Sequence, residues 1–452
     1  MVDGEVDGDA VAGTTVDGEG GETVSPPDAI LSPRIRQLRD ELGAGGEGAL
    51  AAFWEEVTAS GAPLIEEIAG QADRRLVTFL WRETEPLETI ITFDVLSGIS
   101  TAGDIAERQL AKLPGTDCWY RSVVVASDLR TSYRFIPNDD LSPITGEQEF
   151  FIRLSKAVGD PLNPNRLFAP WMTFPNDWVR SDAPALDLPD APPYRWRVKR
   201  EVPAGTLAVE TFASQTLRNE RQITTWTPPG YDPATDEAML LVLFDGEFFA
   251  GLADVVLENL HAEGAVRPIV AVMVGNVERN TELPCNPAFT DALADELVPA
   301  MRERFRIAAG PESVIVSGAS YGGLAATWAG LTRPDVFGNV LAQSGSFWWW
   351  PDPVFDPASI PAGIVPPWGW LPEQAATWER VPTRFWLEVG TLEAQGRGSI
   401  VSLLASNRHM RDVLIARGND VAYREYAGGH DWFFWPELAA DGLIHFAPPA
   451  GR

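Results

Sequence analysis

A serine flanked by glycines lies in the segment SVIVSGASYGGLAATWAG, residues 313–330. A serine hydroxyl becomes an effective nucleophile only when a base removes its proton. The β-branched run before Ser320 favours a strand and the small residues after it favour a helix, so Ser320 is expected at the turn between them. Such a turn exposes the side chain and directs helix N–H groups toward a developing oxyanion. We predict that Ser320 is a nucleophile, although a non-catalytic tight turn also needs such glycines.

A histidine after the nucleophile is the expected general base, because serine hydrolases of this type follow the chain order serine, acid, histidine. The chain has four histidines. His261 precedes Ser320, His409 falls within a predicted helix, and His445 lies in an apolar segment near the C-terminus. His430 lies in the loop YAGGHDWFFWPE after the last predicted strand. We therefore predict His430 as the base that takes the Ser320 proton.

Three carboxylates are within reach of that histidine: Glu388, Glu393 and Asp431. Glu388 falls inside the predicted strand RFWLEVG, and Asp431 directly follows His430. Glu393 lies just past the strand end, where a loop carboxylate can orient the histidine Nδ1–H group. We predict Glu393 as the acid, and a Ser–His dyad with a weaker orienting group stays open.

Two backbone N–H groups are needed to hold an oxyanion. The N–H of Tyr321, directly after the predicted nucleophile, is the first. The loop after an earlier strand, in LLVLFDGEFFAG, offers Gly246 as the second, with Glu247 and Phe248 as neighbouring options. The alternative is that Asp245 and Gly246 only form a turn.

These residues require elements that bring distant segments together. In the second half of the chain, strands that are apolar throughout, such as AMLLVLFDG and RPIVAVMVG, alternate with helical patterns. This alternation is typical of a mostly parallel sheet covered by helices on both faces, that is, an α/β fold. The first half instead contains short β-rich runs, such as RLVTFLWRET and CWYRSVVVAS, which favour a β-sandwich-like domain.

The segment SDAPALDLPDAPPYR, rich in Pro, Asp and Ala, separates the two halves. We predict four regions: a disordered acidic tail over 1–29, an N-terminal β-sandwich-like domain over 30–180, a linker over 181–200 and an α/β catalytic domain over 201–452. The tail contributes eight acidic and no basic residues within 1–28.

The net charge of the chain restricts its partners. The chain of 452 residues has a formal net charge of −29, which disfavours nucleic acid and anionic membrane surfaces as partners. No apolar run is long enough to span a membrane, and no secretory signal pattern opens the sequence. Two distant cysteines, Cys118 and Cys285, favour a reduced compartment, so we predict a cytoplasmic protein, and a single disulfide between them stays open. The oligomeric state stays open.

Several motifs together resemble enterochelin (enterobactin) esterases, the ferric-siderophore hydrolases related to esterase D. The matching segments are FWEEVTASGAPLIEE, VTFLWR, DPLNP, LLVLFDGEFFA, RNTELPCNPAF, SGASYGGLAATW, AQSGSFWW and GGHDWFFW, in family order over about residues 50–440. The resemblance implies an α/β-hydrolase domain after the sandwich-like domain. It also implies hydrolysis of ester bonds in catecholate siderophores, such as the enterobactin trilactone, with Ser320 and His430 in the family's catalytic positions and Glu393 nearest to its acid.

A ferric tris-catecholate carries three negative charges, so its site needs local cations and aromatic walls. The resemblance places Arg279 near the substrate. Candidate substrate-binding residues are Arg279, Arg397, Arg130 (or Arg134), Trp348 and Trp432. No cofactor or protein-bound metal is expected, because iron enters as part of the substrate.

Two other functions stay open. The first is an esterase on the same scaffold that acts on feruloyl, acetyl or other small esters. The second is a siderophore-binding protein whose hydrolase site is inactive.

Overall fold

The structure, a computed structural model, describes residues 31–94, 105–142, 147–166, 183–351, 369–394, 402–431 and 434–449. The predicted acidic tail lies outside these residues, as do Arg397 and Trp432. Within the described part of the chain, no helix is long and apolar enough to cross a membrane.

Among the described residues, three α-helices and two small antiparallel sheets form the N-terminal part. Its elements are α1 (Pro33–Gly43), α2 (Ala49–Ser60), β1 (Leu64–Ile68), β2 (Gln71–Arg82), β3 (Ile90–Asp94), β4 (Ala111–Lys112), β5 (Cys118–Ala126), β6 (Arg130–Pro137), α3 (Glu147–Lys156) and β7 (Ala185–Asp187). One sheet has the strand order β1-β2-β5-β4 and the other has the order β3-β6-β7.

The two sheets share one apolar core. Val77 and Phe79 of β2 pack in the same buried cluster as Tyr133 and Phe135 of β6. The Phe79 and Tyr133 ring centroids are 4.8 Å apart, which joins the first sheet to the second. Burial of large aromatic side chains from two facing sheets is what stabilises a sandwich, so the prediction of a β-sandwich-like domain is confirmed.

Part of the predicted linker is structured. β7 lies within residues 181–200 and pairs with β6, and Leu186 and Leu188 are buried in the N-terminal core. The Pro-rich composition hid the short apolar alternation of this segment, and such a three-residue edge strand gives almost no pattern of its own.

The described residues of the C-terminal part form an eight-stranded sheet with helices on both faces. Its elements are β8 (Thr206–Ser214), β9 (Asn219–Thr227), β10 (Met239–Leu243), α4 (Gly246–Ala262), β11 (Ile269–Val274), α5 (Arg279–Glu282), α6 (Pro287–Ala292), α7 (Val298–Arg304), β12 (Val314–Ala319), α8 (Tyr321–Thr332), β13 (Asn339–Gln343), α9 (Trp370–Ala375), β14 (Arg384–Gly390), α10 (Leu403–Ala416), β15 (Asp420–Tyr426) and α11 (Trp435–Phe446). The strand order is β15-β14-β13-β12-β10-β11-β9-β8.

The six strands β10 to β15 run parallel, with β15 at one edge of the sheet, and the β8–β9 hairpin is added antiparallel at the other edge. Every residue of β10, β11 and β12 is buried, because α4 and α11 cover one face while α6 to α8 and α10 cover the other. Strands covered on both sides lose the polar alternation of a half-exposed strand. The predicted α/β fold is confirmed.

The linker enters the C-terminal part along α11. The backbone N–H groups of Arg195, Trp196 and Arg197 all donate to the carboxylate of Glu437, at 2.7 to 3.1 Å. Charge-assisted hydrogen bonds of this kind are stronger than neutral ones, so the connecting segment is fixed to the first turn of α11.

Candidate active site

The predicted site residues lie at the carboxyl edge of the parallel strands. Ser320 follows β12, Gly246 follows β10, Glu393 follows β14 and His430 follows β15. The carboxyl ends of parallel strands meet at one edge of a sheet, which is where open α/β sheets place their ligand sites.

Ser320 stands at the turn between β12 and α8, with φ +59° and ψ −120°. A non-glycine residue in this region is strained, and the strain presents its side chain above the sheet. The strand and helix meet so closely that a Cβ at Gly318 would lie 2.7 Å from the Gly322 carbonyl carbon. The sequence motif therefore corresponds to a real close approach of two backbones.

The Ser320 hydroxyl lies 3.3 Å from the hydroxyl of Ser346. The backbone of the turn is fixed by the Ser320 N–H, which donates to Gln343 O, and by the Ser346 N–H, which donates to Ser320 O, both at 3.0 Å. Among the described contacts, no hydrogen bond joins Ser320 to His430. Catalytic hydrogen bonds are often long without substrate and shorten in the complex.

His430 Nδ1 lies 2.7 Å from Glu393 Oε2. Glu393 is buried, and its other oxygen accepts hydrogen bonds from Ser344 Oγ at 2.6 Å and from the Gly390 N–H at 2.8 Å. A carboxylate held by two further donors is fixed in orientation, and in turn it fixes the imidazole ring that it contacts.

Trp435 and Ser344 support this pair, and both were missed at the sequence level. The Trp435 ring stands edge-on to the His430 ring, with centroids 4.9 Å apart, and its Nε1–H donates to Ser344 Oγ at 3.2 Å. Ser344 adopts a left-handed φ of +47° directly after β13. The one signal for its role was its place in the motif AQSGS, which ends the strand beside the nucleophile strand.

The other two candidate acids have different partners. Glu388 is fully buried in β14 and accepts hydrogen bonds from Gln343 Nε2 and from Trp386 Nε1, and burial raises the pKa of its carboxyl to about 7. Asp431 accepts hydrogen bonds from the N–H and hydroxyl of Ser132 in the N-terminal part. The geometry favours Glu393 as the group that orients His430.

On the opposite side, Gly246 begins α4 after Asp245, which has a left-handed φ of +55°. A Cβ at Gly246 would lie 2.6 Å from the Met273 carbonyl carbon, so this position has no room for a side chain. The Phe248 N–H already donates to Asp245 O at 2.9 Å. Of the options in this loop, the structure thus disfavours Phe248 as an oxyanion donor.

Arg279 links the two proposed oxyanion donors. Its guanidinium makes a two-armed ion pair with Asp245, at 2.6 and 2.8 Å, and its Cζ lies 5.7 Å from the Tyr321 ring centroid. Asn276 Nδ2 also donates to Asp245, at 2.7 Å. The predicted substrate cation is therefore already paired with a carboxylate.

Of the other predicted substrate contacts, Arg130 pairs with Asp187 and stacks on Tyr194, with its Cζ 3.6 Å from the ring centroid. Trp348 is partly exposed, and its ring lies 6.1 Å from that of Tyr321. The alternative cation Arg134 is buried. Trp348 is thus the predicted aromatic residue that the structure brings beside the turn of Ser320.

Two family models match the chain: "Putative esterase" over residues 214–446 and "Enterochelin esterase, N-terminal" over residues 76–197. An iron(III) enterobactin esterase of Dickeya dadantii is 31% identical over 445 residues, 92% of this chain and 96% of the relative. The chain belongs to the enterobactin esterase family. It is therefore a carboxylic ester hydrolase, and the resemblance noted from its motifs is confirmed.

Other members of the enterobactin esterase family match over similar lengths. The Escherichia coli K12 iron(III) enterobactin esterase is 28% identical, over 82% of this chain and 91% of the relative. A solved ferric enterobactin esterase from Salmonella typhimurium is 28% identical with a TM-score of 0.70, covering 88% of this chain and 98% of that one. The Shigella flexneri enterobactin esterase, crystallised in the presence of enterobactin, is 26% identical with a TM-score of 0.65, covering 85% and 95%.

Proposed function

We propose that this esterase hydrolyses the ester bonds of a ferric catecholate siderophore, such as an enterobactin-type trilactone, and releases the iron in the cytoplasm. The observation that carries the proposal is the His430–Glu393 hydrogen bond at the sheet edge where Ser320 is presented. Relatives named iron(III) enterobactin esterase and iron(III) salmochelin esterase support this substrate class.

The first half of the proposed reaction forms an acyl-enzyme. In the proposed mechanism His430 carries its proton on Nδ1, which faces Glu393, so the lone pair of the ring lies on Nε2. Nε2 takes the Ser320 proton as Oγ attacks the ester carbonyl, and the carbonyl oxygen becomes an oxyanion. The N–H groups of Tyr321 and Gly246 stabilise it. The C–O bond then breaks, and His430 returns the proton to the leaving serine hydroxyl of the siderophore.

The second half releases the acyl group. A water molecule gives a proton to His430 and attacks the acyl carbonyl, and Ser320 Oγ leaves with that proton. These proposed steps use protein groups and water alone, and iron takes part only as a component of the substrate.

Substrate recognition in this proposal combines aromatic and charged groups. Trp348, whose ring lies beside that of Tyr321, is the proposed contact for a catechol ring. The remaining predicted substrate contacts are Arg130, Arg397 and Trp432. The positive charge of Arg279 is already paired with Asp245. Both cysteines are buried and unpaired, which supports a reducing compartment.

A panel of substrates tests the proposal. We expect higher kcat/KM for ferric enterobactin, its linear fragments, or salmochelin-like and bacillibactin-like trilactones than for p-nitrophenyl esters. Faster turnover of the simple esters would instead support the alternative of a general small-ester esterase.

Labelling with a fluorophosphonate tests whether the site is active at all. We expect the native protein to be labelled and Ser320→Ala to be unlabelled. Equal labelling of both proteins, or none of the native protein, would support a siderophore-binding protein with an inactive site.

A further inference from the structure

We propose that the N-terminal domain positions the acid–base pair His430–Glu393, and that Ser132 of β6 is a positioning residue for this reaction. The inference rests on the proposed roles of Ser320 and His430. It assigns to the N-terminal domain a part in the chemical step, separate from any contact with substrate.

Strand β6 contacts the loop that carries His430. The Ser132 N–H and hydroxyl both donate to Asp431 Oδ2, at 3.3 and 2.6 Å. Two residues earlier on the same strand, the Arg130 N–H donates to Ala427 O at 3.2 Å. The two contacts lie on either side of His430 in the sequence, so β6 holds both ends of the short loop that carries the base.

The N-terminal core also contacts the turn that carries Glu393. Leu392 packs against the N-terminal core that contains Phe79 and Phe135. The Leu392 N–H also donates to Gly428 O at 3.0 Å, which joins the acid turn to the base loop. The N-terminal domain therefore contacts the residue before the acid as well as the residue after the base.

The loop before His430 contains Gly428 and Gly429, which allow the backbone many conformations. Contacts that restrict this loop therefore affect the position of the proposed base. Asp431 is 3% exposed, and the loss of a hydrogen-bond donor to a buried carboxylate is costly. The Ser132 contacts thus restrict where His430 lies. A displacement of about 1 Å in a catalytic group can cost about a hundredfold in rate.

The experiment uses the full chain and p-nitrophenyl acetate, a small neutral ester that needs no siderophore contact. We expect Ser132→Ala to lower kcat about tenfold and to leave KM within about twofold. Ser132→Thr retains the hydroxyl and is expected to recover most of the activity. The matched control is Ser122→Ala, which removes a hydroxyl 2.8 Å from Thr78 Oγ1 within the N-terminal sheet and is expected to keep native kcat.

Unchanged kcat in Ser132→Ala, an equal loss in Ser122→Ala, or a loss confined to KM would overturn the inference. Leu392→Ala is the second variant, and it tests the turn that carries Glu393 if Ser132→Ala does not fold. We expect a several-fold lower kcat with unchanged KM. Native kcat in Leu392→Ala would also overturn the inference. Ser320→Ala is measured in parallel. Activity that persists in Ser320→Ala contradicts the proposed function, whereas an inactive Ser320→Ala with a native-like Ser132→Ala contradicts this inference alone.

Discussion

On the oxyanion side of the site, Asp245 precedes Gly246 and accepts both arms of the Arg279 guanidinium. On the acid–base side, Asp431 follows His430 and accepts both the N–H and the hydroxyl of Ser132. Both carboxylates are 3% exposed. The same arrangement, a buried carboxylate that lies next to a proposed catalytic residue and accepts two hydrogen bonds from one partner residue, occurs twice. One copy is built within the catalytic domain and the other across the domain boundary.

The two sides of the site depend on different parts of the fold. The Asp245–Arg279 pair joins residues 34 positions apart in one domain, whereas the Ser132–Asp431 pair joins residues 299 positions apart. The oxyanion side is complete when the C-terminal sheet has formed. The acid–base side also needs the N-terminal strands in place.

Removal of the reacting groups is expected to have the largest effect on either side. Ser320→Ala and His430→Ala each lower kcat at least about 10³-fold, because neither group acts without the other. The matched control is His409→Ala in α10, which is expected to keep native kcat. Steady-state kinetics on p-nitrophenyl acetate measure this, and substantial activity in His430→Ala would remove the acid–base side from the comparison.

Replacement of the acid is expected to have the next largest effect. Glu393→Gln keeps the shape of the side chain but removes its negative charge. The His430 Nδ1–H then has no charged acceptor, so kcat falls about 10²-fold or more. Glu388→Gln is the control carboxyl and should cost less than tenfold. A larger loss in Glu388→Gln than in Glu393→Gln would transfer the role of acid to the buried strand residue.

Glu388 is connected to both sides of the site through Gln343. The Gln343 side chain donates to Glu388 and to Trp435 O, and the Gln343 backbone carbonyl accepts from the Ser320 N–H. The Glu388 pKa of about 7 lies above the unfolded value. Native protein therefore binds more protons, and the free energy of unfolding falls as pH rises from about 4.5 to about 7. Between pH 5 and pH 8, the difference in unfolding free energy between the native chain and Glu388→Gln should shift by about 2 kcal/mol against the native chain.

Urea unfolding at several pH values measures this difference, and the constant effect of the substitution cancels between pH values. A difference that does not change with pH would show that Glu388 is ionised throughout. The Glu388 carboxyl would then not be the neutral group that its burial predicts.

The smallest effect is expected at the Asp245–Arg279 ion pair on the oxyanion side. Arg279→Gln and Arg279→Lys should each lower kcat about tenfold for neutral and anionic esters alike, because both lose the two-armed pair that holds Asp245. Arg304→Gln, which breaks an exposed ion pair with Glu210, is the control. If Arg279→Lys were normal on the neutral ester and Arg279→Gln raised only KM for the ferric siderophore, Arg279 would be a substrate cation instead.

The sequence was sufficient where local pattern and chain order decide. The apolar central strands gave the α/β fold, and the turn at Ser320 followed from the small residues on either side of it. Glu393 was preferred over Glu388 because it lies past the end of β14. The roles of Ser344, Trp435 and Ser132 could not be read in the same way, because each depends on contacts between residues far apart in sequence. β7 was missed because three residues in a Pro-rich segment carry too little periodicity.

The three hydrogen bonds from Arg195, Trp196 and Arg197 to Glu437 have a mechanical consequence. A segment between two domains is the usual place for a hinge, since rotation there costs little. Here a hinge motion at these residues would break all three charge-assisted bonds at once. These residues are therefore held against the C-terminal domain, and a hinge between the two domains is disfavoured at this point.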